Sequence, residues 1–361
     1  MDSLAIAARD PVAALAERGR RGPLGIAFSS SVPLEVLDAF GLEAAWLPVL
    51  PADSTPRADG LMQSFTCTYT RAAADFALAA SLPVGLVAHA SGCDAQTALQ
   101  GILLGSLPMA SLKLPIAVAG PSATRQARGA LREMIAAAAA LLGRDPDTAV
   151  LSEACALRGK VRARVTEAFG EVAAGRMPAV RAYETALAAQ VLAPAAFLDA
   201  AAAPAPGPAT SPEGRVRVLL SGAHVPSVRA IEGIESAGAA VVLDDTETGT
   251  RGASRRVRAD APDILDAIAD SLVDGMVHGP VRVLPGRGRI DRLIENASDA
   301  GVGAAVLLHH RCCDPHAFEA PALTDALREA EIPSVLIEID RDSSLSARDL
   351  ARVQALVESI A

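Results

Sequence analysis

Residues 309–321 read HHRCCDPHAFEAP, so two adjacent cysteines stand among three histidines in a chain that has only five cysteines. Two others, Cys67 in SFTCTYTRAAADFAL and Cys93 in HASGCDAQTAL, also precede stretches with helical periodicity. A thiol at a helix N-terminus loses its proton more readily, because the helix dipole stabilises the thiolate. Since the thiolate is the form that binds iron or zinc, these positions are candidates for a metal centre.

The alternative is a structural role, because an isolated cysteine most often behaves as a small buried hydrophobe. That interpretation is favoured for Cys155, which lies in the helical segment LSEACALRGKV, and it stays open for Cys67 and Cys93. Adjacent side chains diverge, so at most one of Cys312 and Cys313 is expected at a shared centre. The spacing contains no CxxC pair and therefore predicts neither a zinc ribbon nor a compact ferredoxin motif.

Three other segments carry weaker signals. His309, His310 and His316 are candidate metal ligands, although hydrogen-bonded structural histidines are the favoured interpretation. The run SSSVP (29–33) follows a predicted strand, where its hydroxyls either cap a helix or bind a carbonyl. The run DDTETGTRG (244–252) is either a pocket rim or, by default, a solvated loop. The sequence has no G-x-S-x-G, Walker or HExxH motif.

The elements that must position these residues follow from the apolar pattern. Short apolar runs end in turn residues and alternate with helical segments, which is typical of buried parallel sheets with crossover helices. The predicted strands are 24–28, 44–49, 83–90 and 115–120, then 215–222, 239–245, 303–310 and 333–340. The predicted helices are 34–41, 68–80, 94–104, 122–143 and 146–170, then 226–237, 261–274, 289–299, 317–331 and 345–359. We predict an α/β protein with two doubly wound, Rossmann- or flavodoxin-like parallel-sheet domains.

A proline-rich stretch separates the two series of elements. Residues 194–213, PAAFLDAAAAPAPGPATSPE, resist both helix and sheet. We predict an N-terminal domain over 1–205, a linker over 206–213 and a C-terminal domain over 214–361. In both series a cysteine follows a strand directly, at the edge where open parallel sheets bind their ligands.

Composition limits the compartment and the partners. The formal net charge is −9, which argues against a nucleic acid or an anionic membrane as the main partner. No apolar run approaches the roughly 18 residues of a membrane-spanning helix. The start, MDSLAIAARDPVAALAERGRRG, lacks the basic and apolar regions of a signal peptide. We predict a cytoplasmic protein with reduced thiols.

Five segments, in this order along the chain, resemble the 2-hydroxyacyl-CoA dehydratase / benzoyl-CoA reductase family, and in particular the D-component-like subunits of 2-hydroxyglutaryl-CoA dehydratase. Two departures are Thr68, where many members have proline after the first cysteine, and the tandem Cys312-Cys313. The segments are SSSVPLEVLDAFGLEAAWLPV (29–49), FTCTYTRAAADFAL (65–78), SGCDAQTAL (91–99), VRVLLSGAHVPSVRAIEGIESAGAAVVLDDTETGTR (216–251) and CCDPHAFEAPALTDALREAEIPSVLIEID (312–340).

The resemblance implies a [4Fe–4S] cluster between the two domains, held by Cys67, Cys93 and Cys313. The last is chosen because the family's cysteine directly precedes Asp-Pro. The fourth iron position is then left to water, another protein ligand or substrate, and an open position marks a catalytic centre. Ser30, or one of the two flanking serines, lies where the family segment lines the substrate pocket, and its implied role is to bind a carbonyl or water.

The implied activity is radical dehydration of a 2-hydroxyacyl-CoA to an enoyl-CoA, that is, a lyase. The implied partners are an acyl-CoA substrate, a homologous second subunit or a second copy of the chain, and a separate ATP-dependent iron–sulfur activator. Three alternatives remain open: a homodimeric double-cubane-cluster reductase of small molecules, an aryl-CoA reductase subunit, and a non-catalytic or zinc-binding paralogue. Aromatic residues make up only 3% of the chain, which disfavours an aryl pocket.

Overall fold

The structure, a computed structural model, describes residues 2–47, 54–79, 82–202, 214–282, 284, 288–340 and 344–360. The predicted linker, 206–213, lies outside the described residues. The division into domains over 1–205 and 214–361 therefore stays a prediction, and we refer below to the described residues on either side of the linker as the first and second halves.

The first half contains four strands and ten helices among its described residues. The strands are β1 (Leu24–Ala27), β2 (Glu43–Trp46), β3 (Val84–Ala90) and β4 (Met109–Leu112). The helices are α1 (Ser3–Arg9), α2 (Pro11–Gly19), α3 (Leu34–Ala39), α4 (Pro56–Asp59), α5 (Thr68–Leu78), α6 (Asp94–Leu103), α7 (Gly120–Leu142), α8 (Thr148–Ala173), α9 (Ala179–Val191) and α10 (Pro194–Ala201).

The described part of the second half contains four strands and six helices. The strands are β5 (Val216–Gly222), β6 (Ala239–Thr246), β7 (Ala304–His310) and β8 (Ser334–Ile339). The helices are α11 (Val228–Ser236), α12 (Thr250–Ala253), α13 (Ile264–Ser271), α14 (Gly288–Asp299), α15 (Asp314–Glu329) and α16 (Ala347–Glu358).

Each half is built on one four-stranded parallel sheet. The strand orders are β2-β1-β3-β4 and β6-β5-β7-β8, so the two sheets have the same topology. Ile26 of β1 pairs with Val87 of β3, and Leu220 of β5 pairs with Val306 of β7, all four side chains being buried. Inner strands that are apolar on both faces require helices on both sides. The predicted α/β class with two parallel sheets is confirmed.

Two predictions about local structure are wrong. The run PIAVAG (115–120) is not a strand, and β4 lies just before it. Ile116 and Ala117 are exposed, so this apolar run does not enter the sheet. The start of the predicted linker region, 194–213, is helical as α10, because Pro194 occupies a first-turn position where its missing N–H has no cost.

The two halves share buried cores. The largest cluster contains residues of β1 and β3 of the first sheet, of β5 and β7 of the second, and Tyr183 of α9. A second cluster covers the other face of the first sheet and includes Ile268 and Leu272, at and just after α13 of the second half. The guanidinium of Arg128 on α7 binds the carboxylate of Asp270 on α13 at 2.7 Å. A helix from the second half therefore completes the packing of the first.

None of the helices in the described ranges combines the length and the apolar character needed to cross a lipid bilayer.

Candidate functional site

Three cysteines stand at the starts of three helices. Cys67 is the N-cap of α5, Cys93 of α6 and Cys313 of α15. Cys93 comes three residues after Ala90, the last residue of β3, and Cys313 comes three residues after His310, the last residue of β7. Because all strands of each sheet are parallel, both positions lie at carboxyl edges, as the sequence predicted.

All three cysteines line one cavity of about 810 Å³, which we call the cysteine cavity. Its walls come from both halves of the chain. The backbone N–H of Thr68, next to Cys67, donates to the carbonyl of Arg311 at 3.2 Å, which joins the start of α5 to the segment after β7. The sequence could not show this proximity, because Thr68 and Arg311 belong to different halves of the chain.

The thiols interact with one another. A hydrogen bond from the Cys313 thiol lowers the pKa of Cys67 to about 7, although burial opposes the shift. The same hydrogen bond, together with burial, raises the pKa of Cys313. Burial also raises the pKa of Cys93. These pKa shifts favour one thiolate, Cys67, at a helix N-terminus, with the Cys313 thiol as its hydrogen-bond donor.

The remaining two cysteines lie elsewhere. Cys155 is buried inside α8, where burial and the negative charge of Glu35 raise the pKa of its thiol to about 12. Cys312 has a left-handed backbone with φ of +60° and is half-buried outside the cysteine cavity. The structural role predicted for Cys155 agrees with its packing, and the divergence predicted for the tandem pair agrees with the positions of Cys312 and Cys313.

The histidines near the cavity are held by hydrogen bonds. His309 and His310 place Nε2 at 3.1 Å from the carbonyl of Cys313 and 3.0 Å from that of His224, respectively. Nδ1 of His316 lies 3.4 Å from Sγ of Cys313. Burial lowers the pKa of His310 to about 4 and that of His316 well below its usual value. The sequence favoured hydrogen-bonded structural histidines, and the partners of His309 and His310 are backbone carbonyls.

The serine segment divides between two cavities. Ser29 and Ser31 line the cysteine cavity, whereas Ser30 lines a neighbouring one and donates a hydrogen bond to the Glu247 carboxylate. Glu247 itself lines the cysteine cavity. Ser30, the residue chosen from the sequence, is thus linked to the cysteine cavity through Glu247, whereas its two neighbours line that cavity themselves.

Sequence reasoning missed the buried charges of this cavity. Arg251 is 1% exposed and donates to the carbonyls of Asp245 and Gly222 at 2.7 and 2.5 Å. Arg282 donates to the carbonyl of Pro115 at 3.2 Å, and burial lowers its pKa to about 10. The segment DDTETGTRG therefore forms a pocket rim and not a solvated loop. The signal was present in that acidic run, which begins in the last residues of β6, where a buried strand reaches the ligand-binding edge.

The donor set fits an iron–sulfur group better than a single ion. Within the described ranges no three His, Cys, Asp or Glu side chains are grouped closely enough to hold one metal ion. The three thiols nevertheless surround one cavity, and a [4Fe–4S] cluster binds each cysteine to a different iron, so its ligands need not converge on one point. The sulfur donors, the cavity and the helix N-termini all suit such a group.

The fold and the site define a class: an α/β protein with two parallel sheets whose carboxyl edges bring three thiols to one cavity. A family model described as 2-hydroxyglutaryl-CoA dehydratase, D-component, matches residues 29–360, and the chain belongs to that family. The family indicates a subunit of a dehydratase-type lyase that works with a second subunit and an activator. No curated protein matches the chain.

Proposed function

We propose that the chain is the cluster-bearing subunit of an enzyme that dehydrates a 2-hydroxyacyl-CoA to an enoyl-CoA. Cys67, Cys93 and Cys313 would hold a [4Fe–4S] cluster, with the fourth iron position open. The single observation that carries the proposal is that three thiols from both halves of the chain, each at a helix start, line one cavity.

The reaction is difficult because the β-proton is barely acidic and the hydroxyl leaves from the carbon next to the thioester. When bound, a low-potential cluster supplies a strongly reducing electron and an open iron that acts as a Lewis acid. The electron comes in this proposal from a separate ATP-dependent activator, and the partner subunit is a homologue or a second copy of this chain. A cytoplasmic location is part of the same proposal.

The protein's own groups would bind and orient the thioester. Ser29 and Ser31 place hydroxyls on the cysteine cavity, where they can donate to a carbonyl or hold a water. Ser30 acts as a positioning residue through its hydrogen bond to Glu247. The buried guanidinium of Arg251 lines the same cavity and would stabilise negative charge that develops on the substrate oxygen.

Iron and acid-labile sulfide analysis after anaerobic purification tests the cluster. We expect about four irons per chain and loss of nearly all of them in Cys67→Ala, Cys93→Ala and Cys313→Ala. Cys155→Ala and Cys312→Ala are matched controls that should keep the iron. Colourless, iron-free protein made with full cluster-assembly support would overturn the proposal, and loss of iron in Cys312→Ala with retention in Cys313→Ala would overturn the ligand choice.

Activity tests the reaction separately. Water elimination from 2-hydroxyacyl-CoA thioesters should require the activator, ATP and the second subunit where that subunit is not a copy of this chain. Iron-loaded protein that reduces small molecules as a homodimer, without any acyl-CoA, would point to the reductase alternative.

A further inference from the structure

A second cavity, of about 590 Å³, lies beside the first, and we call it the arginine cavity. Its walls come from the segment after β1, Trp46, α8, α9 and the stretch from Thr248 to Arg255. The side chain of Ser30 and its hydrogen bond to Glu247 stand between the two cavities. None of the three proposed cluster ligands, Cys67, Cys93 and Cys313, lines the arginine cavity.

The arginine cavity has an apolar wall and a cationic wall. The cationic wall consists of Arg158, Arg162 and Arg255, while the apolar wall is made by Val32, Leu34, Val161, Val165, Ala186 and Ala189.

The acids around the cationic wall do not balance it. The carboxylate of Glu35 is fully buried and is shared by Arg162 at 2.7 Å and Arg255 at 2.6 Å. Arg158 is paired with Asp38. Three guanidiniums thus face two carboxylates, and this excess of positive charge in a buried place favours an anionic ligand.

Arg162 presents the unused donors. Its Nη1 binds Glu35, but its Nε and Nη2 are buried and have no hydrogen-bond partner within the described part of the chain. Nε–H and Nη2–H point in the same direction on the planar guanidinium and form a fork that matches the two oxygens of a carboxylate. Buried donors without partners are rare in native proteins, so a site that leaves two on one guanidinium is short of a ligand.

Two further unpartnered polar atoms belong to residues that line the same cavity. Among the residues that the structure describes, the Nε1 of Trp46 is a buried donor without a partner, and the Oε1 of Gln190 is a buried acceptor without one. Gln190 is 6% exposed, and its Nε2 is held by the carbonyl of Thr248 at 3.1 Å, so its amide is fixed in place. The free donors of Arg162 and Trp46 and the apolar wall together describe a ligand with an anionic end and a hydrocarbon body.

We propose that the arginine cavity binds the carboxylate of a short aliphatic acid on the free fork of Arg162, with the hydrocarbon chain against Val165 and Ala189. The carboxylate comes either from a free acid or from the far end of an acyl thioester, and the second source rests on the proposed function. Binding is by hydrogen bonds, charge and apolar contact, and no covalent step is involved.

Calorimetric titration of the full chain with sodium hexanoate tests the free acid, with hexanamide as the uncharged probe of the same length. Hexanoate should bind and hexanamide should bind at least about tenfold more weakly, because charge-assisted hydrogen bonds are roughly twice as strong as neutral ones. Glutaryl-CoA and butyryl-CoA form the second pair, which differ in the terminal carboxylate.

Variants locate the site. Arg162→Lys keeps the charge that pairs with Glu35 but removes the fork, and it should weaken binding about tenfold or more. Ala189→Leu fills the apolar wall and should abolish binding by an independent route. Arg176→Lys and Ala163→Leu, both on exposed positions, are the matched controls and should leave binding unchanged.

The outcomes separate this inference from the proposed function. Hexanoate binding that responds to both variants supports a free-acid site, whether or not the chain holds iron. Binding of glutaryl-CoA alone, with the same response to Arg162→Lys, assigns the carboxylate to the thioester. If neither hexanoate nor glutaryl-CoA binds, or if their binding is unchanged in Arg162→Lys, the inference is overturned. The cluster proposal does not depend on that result.

Discussion

The two halves of the molecule use the same sheet in different ways. Both sheets have the same strand order, and Cys93 and Cys313 occupy equivalent places, three residues after the third strand of each half. Each is followed by an aspartate that opens the next helix. Cys67 has no equivalent, because the sequence has no cysteine between the second and third strands of the second half. Equal topology thus supplies two thiols, and the third comes from a position where the two halves differ in sequence.

The halves also differ in how they complete their cores. The third cluster of buried residues, from Leu219 to Ile332, draws only on the second half. The first half instead takes Ile268 and Leu272 from beyond β6, and the carboxylate of Glu35 pairs with Arg255 across the same boundary. The first half therefore depends on the second for both apolar and ionic contacts.

The largest effect is expected at the ionic contact. Glu35→Ala leaves the guanidiniums of Arg162 and Arg255 buried without their shared carboxylate, which costs about 3–5 kcal/mol of unfolding free energy. Urea denaturation measures it. Glu171→Ala, which breaks the exposed pair with Arg176, is the control and should change stability by about 1 kcal/mol or less. Equal losses of stability in Glu35→Ala and Glu171→Ala would show that the first half does not depend on the second for ionic contacts.

The next effect concerns the borrowed apolar residues. Leu272→Ala opens a cavity in the core of the first half and should cost about 2–5 kcal/mol. Leu327→Ala, in the second half's own core, is the matched control with a similar expected cost. Both variants should unfold in one cooperative urea transition. If two separate transitions appeared and Leu272→Ala shifted only the transition of the second half, the first half would not depend on Leu272.

A smaller effect is expected where the second half touches Trp46. A Cβ at Gly252 would meet the Trp46 ring at 2.8 Å and the carbonyl oxygen of Glu247 at 2.2 Å. Gly252→Ala should therefore cost about 1–3 kcal/mol through overpacking and change the fluorescence of the only tryptophan in the chain. Gly159→Ala is the control: it lies in α8 with open space around it and should stabilise the helix by about 0.5–1 kcal/mol. Unchanged fluorescence in Gly252→Ala would contradict this contact.

The smallest effect is the pH dependence of the same boundary. Burial alone would raise the pKa of Glu35, but the guanidiniums of Arg255 and Arg162 outweigh it and lower the pKa. A lowered pKa in the folded state contributes stability above the unfolded value of about 4.3, and this is lost as the pH falls toward the folded pKa. Between pH 7 and 4 the loss from this group should be about 0.6 kcal/mol.

Urea denaturation at both pH values measures this loss. The wild type should lose that much more stability than Glu35→Gln, which cannot titrate at this position. Equal losses in the two proteins would show that Glu35 is not held ionised by its arginines.

Strand positions and helix starts could be predicted from the sequence, because they depend on the local pattern of residues. The strands β3 and β7 are apolar except for histidines near their carboxyl ends, so their positions and the helix starts at Cys93 and Cys313 could be predicted from the order of residues. The strand predicted at 115–120 was wrong, because an apolar run does not reveal whether a neighbour is free to pair with it. The short strand Met109–Leu112 takes that place beside β3 instead.

Contacts between distant segments could not be predicted. Nothing near Glu35 in the sequence indicates that Arg255 would bind it, since the pair depends on how the two sheets pack. The same holds for Ser30, whose neighbours line the cysteine cavity while it lines the arginine cavity. Which of three adjacent hydroxyls points into a site depends on the turn after β1, and the residue types do not reveal it.

The position of α13 limits how the molecule can move. The chain runs from the first half into β5 and β6, returns as α13 to pack on α7, and leaves again for α14. Three passes of the backbone therefore join the halves, and the contact of Arg128 with Asp270 lies on one of them. A clamshell-like rotation about the predicted linker would have to pull that helix off its core. We expect the thiol-lined space to be reached through its existing mouth while the two sheets keep their relative orientation.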